Sequence, residues 1–127
     1  MDGMESEFSR ELERLIAEHG KDALDAIDGM VSRKQANNEV LSEALRWVGL
    51  MDHDETRERR RHFAQRYLSS DSAMVRDGAA LALSFMDDPR SLPSLKKAID
   101  HEKVPELRGD MQQVLDQLEE TRRCRNS

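Results

Sequence analysis

Met74-Val75-Arg76-Asp77-Gly78-Ala79-Ala80-Leu81-Ala82-Leu83-Ser84-Phe85-Met86 is followed 32 residues later by a looser copy of itself. The second copy reads Glu106-Leu107-Arg108-Gly109-Asp110-Met111-Gln112-Gln113-Val114-Leu115-Asp116-Gln117-Leu118. Arg76 falls on Arg108, Ala79 on Met111, Leu83 on Leu115 and Met86 on Leu118. A weaker copy lies upstream at an offset of 35 residues, where Val40, Ala44, Val48, Met51 and Asp52 fall on Val75, Ala79, Leu83, Met86 and Asp87. There Leu41 stands in place of the expected arginine. A helix-sized pattern recurring at this distance predicts repeats built from helical hairpins. Such units stack into a surface, so the chain reads as a binding module.

Helices follow outward from these copies. The spacing of Val40, Leu41, Ala44, Leu45, Trp47, Val48 and Met51 predicts one helix, with Asn37 or Asn38 as its cap. Asp52 to Thr56 is a turn. It opens a helix that is basic early (Arg57, Arg59, Arg60, Arg61) and buries Phe63, Ala64, Tyr67 and Leu68. Ser69 to Ser72 is a second turn, and 73–86 is the clearest helix. Asp87-Asp88-Pro89 breaks that helix, and Ser91-Leu92-Pro93 opens the next. Pro105 opens the last helix, predicted to end near Glu120, with 121–127 a disordered tail. Two further helices are expected upstream. One carries Phe8, Leu12, Leu15 and Ile16 and closes at His19-Gly20. The other carries Ala23, Leu24 and Ile27. Met51, Met74, Met86 and Met111 fall at core-type positions, and Trp47 suits the core or an exposed anchor.

Composition narrows the class. The 127 residues suffice for one domain with a modest core. Aromatics make up only 4%, so Leu, Ala, Met, Val and Ile must build that core, a palette that favours helices. Residues 1–30 hold nine acidic side chains against three basic ones and so carry the whole formal charge of −6. That balance argues against general nucleic-acid affinity, which needs a basic face. It suits solubility or a basic protein partner. The single cysteine, Cys124, excludes an internal disulfide and a cysteine-cluster metal site. With no apolar span and no basic, apolar leader, a cytoplasmic location is the expectation.

Residues 35–120 resemble HEAT repeats, especially the short HEAT-like repeats of bacterial proteins. The carriers are Val75-Arg76-Asp77-Gly78-Ala79-Ala80-Leu81-Ala82-Leu83 and then Asp87-Asp88-Pro89-Arg90-Ser91-Leu92-Pro93-Ser94-Leu95. The resemblance implies an all-α fold, a short α-solenoid of antiparallel helix pairs with about seven helices. Residues 1–34 match poorly and read as an N-terminal helical cap. Gln112 and Gln113 replace the family's small residues, as a water-facing terminal repeat requires. In this family the repeated arginine commonly pairs with an acid near an adjacent turn, which makes Asp71, Asp87 or Asp88 candidate partners of Arg76.

Chemistry-bearing motifs are sparse. No phosphate-binding glycine loop, paired-histidine zinc helix or serine nucleophile motif occurs. His53 between Asp52 and Asp54 is a weak metal candidate. His101-Glu102 is similar to the His-Glu pairs of HEAT-repeat iron hydroxylases, but a single pair cannot assemble their ligand set. No metal or cofactor is expected, and no enzymatic activity. The resemblance places the second helix of each pair on the concave side, and a protein partner, possibly basic, is expected there on Glu43, Arg46, Asp77, Ser84, Gln112, Gln113 and Asp116. Three alternatives stay open. The chain could be an antitoxin or immunity protein that neutralises a basic toxin. It could be a bilin-lyase-like accessory protein. It could bind nucleic acid through the arginines at 57–61, whose bland reading is pairing of Glu55 with Arg59 and of Glu58 with Arg61 or His62.

Overall fold

In the computed structural model, which describes Asp25 and residues 38–126, five α-helices and two single-turn 3-10 segments account for most of the chain. The helices are α1 (Asn38–Leu50), α2 (Arg57–Tyr67), α3 (Ala73–Met86), α4 (Leu92–His101) and α5 (Pro105–Asn126). The 3-10 turns, Asp54–Thr56 and Pro89–Ser91, lead into α2 and α4. No strand occurs among the described residues. The two helices expected upstream and the candidate cap Asn37 lie outside them.

The ends of α3 show how local sequence sets the boundaries. Ser72 is extended, and its hydroxyl accepts from the Val75 N–H at 3.4 Å, satisfying one of the first-turn donors. At the other end Asp87 takes the left-handed conformation (φ 50°), and its N–H closes on the Leu83 carbonyl. Glycine is usual at such a position, and aspartate is among the few residues that adopt it readily. Asp88 then caps the following turn, accepting from the Arg90 N–H at 3.0 Å, and Pro89 supplies the first position.

The copies stack in register. α3 packs against α1 on one side and α5 on the other, while α2 lies on α3 and α4 on α5. Ser42 Oγ donates to the Met74 carbonyl at 3.4 Å, Ser84 Oγ to Gln117 Oε1 at 2.7 Å, and Thr121 Oγ1 to Asp87 Oδ1 at 2.8 Å. These partners are 32, 33 and 34 residues apart, so neighbouring copies run the same way at close to the repeat offset. Leu45, Val48, Val75, Leu83, Leu95, Met111 and Leu118 are the largest apolar side chains fully buried between the layers. Each such leucine contributes on the order of 2 kcal/mol of burial.

Two expectations change. Residues 121–126, expected to fray, continue α5 to Asn126. Thr121 bonds Asp87 and Arg123 clamps Glu120 at 2.6 Å one turn back, so the last turns have partners of their own. Met74, placed in the core by its spacing, is 49% exposed. Val75, one position on, points inward in its stead.

Candidate surfaces and the repeat arginines

One face of α3 carries Met74, Leu81 and Phe85, brought together by their spacing of seven and four residues. Met74 is 49% and Phe85 40% exposed, and Leu81 is partly buried. Leu50, at the end of α1, is 50% exposed. It joins Phe85 in lining a notch of about 230 Å³ with Met51, Met86, Asp52 and Arg57 on its walls. Three large apolar side chains left in water are more informative than any exposed charge, because burying them is favourable.

The residues expected to meet a partner divide around this stripe. Arg46, Asp77, Gln112, Gln113 and Asp116 are exposed. Gln112 Nε2 donates to Asp116 Oδ1 at 3.0 Å along α5. Glu43 is partly buried, accepting from Arg46 at 3.1 Å and from the Trp47 indole N–H at 2.9 Å. Ser84 is engaged by Gln117 at the α3–α5 seam and is not a free contact. Trp47 is partly buried against the core. Asp77, though its surface is largely open, has its carboxyl pushed up from the ordinary value, first by partial desolvation where α3 meets α5 and then by the charge of Asp110.

The arginines at 57–61 are mostly structural. Arg60 is buried and donates to the carbonyls of Val48 (2.9 Å), Met51 (2.9 Å) and His53 (2.7 Å) and to Thr56 Oγ1 (2.9 Å). It therefore closes the carbonyl end of α1. Arg57 donates to the Met86 carbonyl at 2.9 Å, at the end of α3. Arg57 and Arg61 each lie 3.7 Å from the buried Asp88, which Arg90 clamps at 2.7 Å. Burial alone would raise the Asp88 carboxyl. The Arg90 hydrogen bonds and the charges of Arg90 and Arg61 outweigh it and hold Asp88 below the ordinary value. Glu58 lies 3.9 Å from Arg61 and 3.7 Å from His62, as the local-pairing reading had it. Of the basic segment, Arg59 and, further along α2, Arg66 are exposed, as are Arg122, Arg123 and Arg125 of the C-terminal one.

Arg76 does not pair with Asp71, Asp87 or Asp88. Its partner is Glu102, at 2.7 and 3.0 Å in a two-pronged contact, and its third bond goes to the Ser70 carbonyl at 2.9 Å. Arg108 repeats the last contact one copy on, donating to the Glu102 carbonyl at 3.0 Å. Each arginine thus holds the carbonyl six residues before it, and Glu102 links the two copies. The Arg76 hydrogen bond, against the opposing effect of burial and with help from the Val104 N–H, holds the Glu102 carboxyl below its ordinary value. The recurrence of arginine was the visible signal. The acid was hidden because Glu102 has no counterpart at the matching Ser70. With Glu102 so engaged and His101 Nδ1 2.8 Å from the Lys97 carbonyl, this pair is not arranged as metal ligands. Nor do any three His, Cys, Asp or Glu side chains converge on a metal position among the described residues.

In-register helix copies, linked by a repeated arginine and presenting one helix face per copy, define an α-helical repeat protein. The family model for HEAT repeats matches residues 25–116, and the chain belongs to the HEAT-repeat family. The match begins inside the segment read as an N-terminal cap. No curated protein and no solved structure matches the chain. No described helix is long and apolar enough to cross a membrane.

Proposed function

We propose that the chain is a non-enzymatic adaptor that docks a segment of another protein on the concave side of a short solenoid. Its repeats are antiparallel helix pairs, and α1, α3 and α5 line that concave side. HEAT repeats generally mediate protein–protein interaction, which supports the class of function. The observation that carries the reading is the exposed apolar stripe of Met74, Leu81 and Phe85 beside the Leu50–Phe85 notch.

The partner is a basic amphipathic segment. Its apolar residues cover the stripe, and one of them fills the notch as an anchor. Asp77, Asp110 and Asp116 supply the charge around it, and Arg46, Gln112 and Gln113 the polar rim. A cation set between Asp77 and Asp110 relieves their repulsion, which adds to burial in raising the Asp77 carboxyl. The stack is pre-formed, so docking needs little backbone rearrangement.

The test compares proteins captured from the native lysate by the wild-type chain and by the Leu50→Asp/Phe85→Asp variant, at low and high salt. Both substitutions fall on exposed side chains, so the two melting points should agree. We expect a stoichiometric partner carrying a basic segment that weakens with salt and disappears with the variant. A partner held equally by both proteins would falsify the assignment of this face.

A further inference from the structure

A second surface, sharing no residue with the apolar stripe, has the opposite charge. Between the C-terminal ends of α2 and α4 lies an open cleft of about 570 Å³. Its floor includes Leu68 and Ala98. Four fixed cations line it: Arg66 from α2, Arg76 from α3, Lys97 from α4 and Lys103 from the turn before α5. The one carboxylate there, Glu102, is already held by Arg76. Lys97 and Lys103 are exposed, and neither pairs with a carboxylate among the described residues. Lys97 and Lys103 therefore bring positive charge to the rim of an apolar floor.

We propose that this cleft binds an acidic peptide segment, with carboxylates on the lysine rim and an aliphatic side chain on Leu68 and Ala98. The geometry favours spaced carboxylates over one compact phosphate. Helix N-termini bind phosphate because their free N–H groups converge and their dipole is positive there. Here α2 and α4 present their carbonyl ends, whose partial negative charge disfavours any anion set on the helix axes and leaves the outlying rim to spaced carboxylates; His101 Nδ1 faces one such carbonyl, that of Lys97, at 2.8 Å. The positive charge sits on long, mobile side chains around the rim, which suits single charges spread along an extended chain. Ser69, Ser70 and Ser94 place hydroxyls on the walls, able to meet a peptide backbone. With a basic segment on the concave side and an acidic one here, the chain would bridge two partners of opposite charge.

The probe is a fluorescein-labelled peptide in which glutamates alternate with leucine and alanine, titrated with the full chain and read by anisotropy. Saturable binding is expected. Lys97→Glu/Lys103→Glu should weaken it on the order of tenfold or more. Lys97→Arg/Lys103→Arg should retain it, as should Leu50→Asp/Phe85→Asp, which alters only the other surface. All four substituted side chains are exposed, so melting points should stay level. Equal affinity in the Lys→Glu variant, or no saturable binding, overturns the proposal. So does displacement of the peptide by inorganic phosphate at an ionic strength where chloride has no effect, since that marks a compact phosphate site.

Discussion

The seam between α1 and α3 and the seam between α3 and α5 join the same kind of helix to the same neighbour, yet they are built oppositely. The first is tight and nearly dry. A Cβ on Gly49 would lie 2.6 Å from the Ala82 Cα, and one on Gly78 would lie 2.8 Å from Ser42 Oγ. The second is polar. Gln117 donates to the Ser84 carbonyl (2.9 Å) and to Asp87 Oδ1 (3.0 Å), Thr121 adds a bond to Asp87, and Arg76 reaches Glu102. An internal repeat must hide both sides, and small residues let it do so by contact. Around α5 hydrogen bonds fix the position of the helix with less apolar surface.

The largest effect is expected in the polar seam. Arg76→Ala leaves Glu102, only 5% exposed, without its cation. Thermal or urea unfolding should show a loss of about 3 kcal/mol. The loss depends on pH in a fixed direction. Because Glu102 titrates below its ordinary value when folded, its contribution is complete above the unfolded carboxylate range, about 4.3, and fades as pH falls through the lower folded value. The gap between wild type and variant should therefore narrow in acid.

The dry seam breaks next. Gly49→Ala forces backbone apart from backbone, and calorimetry should register about 1–3 kcal/mol of destabilisation. The same substitution at Gly109 meets nothing within 4 Å and should instead stabilise α5 by about 0.5–1 kcal/mol through helix propensity. If both glycines respond alike, close approach is not what the first seam depends on. Gln117→Ala removes three bonds across the polar seam, two donated by its amide and one accepted from Ser84 Oγ, and should cost about 1–2 kcal/mol in chemical denaturation. The smallest change is at Asp77, whose raised carboxyl marks ionisation as unfavourable in the fold. Asp77→Asn should raise the melting point at neutral pH by an amount worth about 0.5 kcal/mol or less. That gain should shrink as pH falls and wild-type Asp77 takes up its own proton.

Much of this contrast could be read from the residues. The offsets of 32 and 35 announced the repeat, and the small side chains of Gly78, Ala79, Ala80 and Ala82 are of the size that lets helices approach closely. Gln112 and Gln113, polar where the other copy has small residues, are both exposed. What spacing could not show was where long side chains reach. Arg57, Arg60 and Arg61 looked like a basic face, but carbonyls at helix ends and one buried carboxylate hold them. Their partners are up to 31 residues away in sequence, the distance from Arg57 to Asp88. Glu102 was hidden for the same reason, 26 residues from Arg76. The apolar stripe was missed because Met74 and Phe85 fit a helical pattern as well as any core residue does. Only the stack reveals that no described helix covers them.

Photo-crosslinking tests most directly the docking face proposed on α1, α3 and α5. A benzophenone amino acid placed at Phe85 in the native cell should capture a partner through a lysine- or arginine-rich amphipathic segment, whereas the same group at the exposed Lys96 of α4 should not capture that protein. Capture of one partner equally from both positions, or capture at Phe85 through an acidic segment, would contradict it.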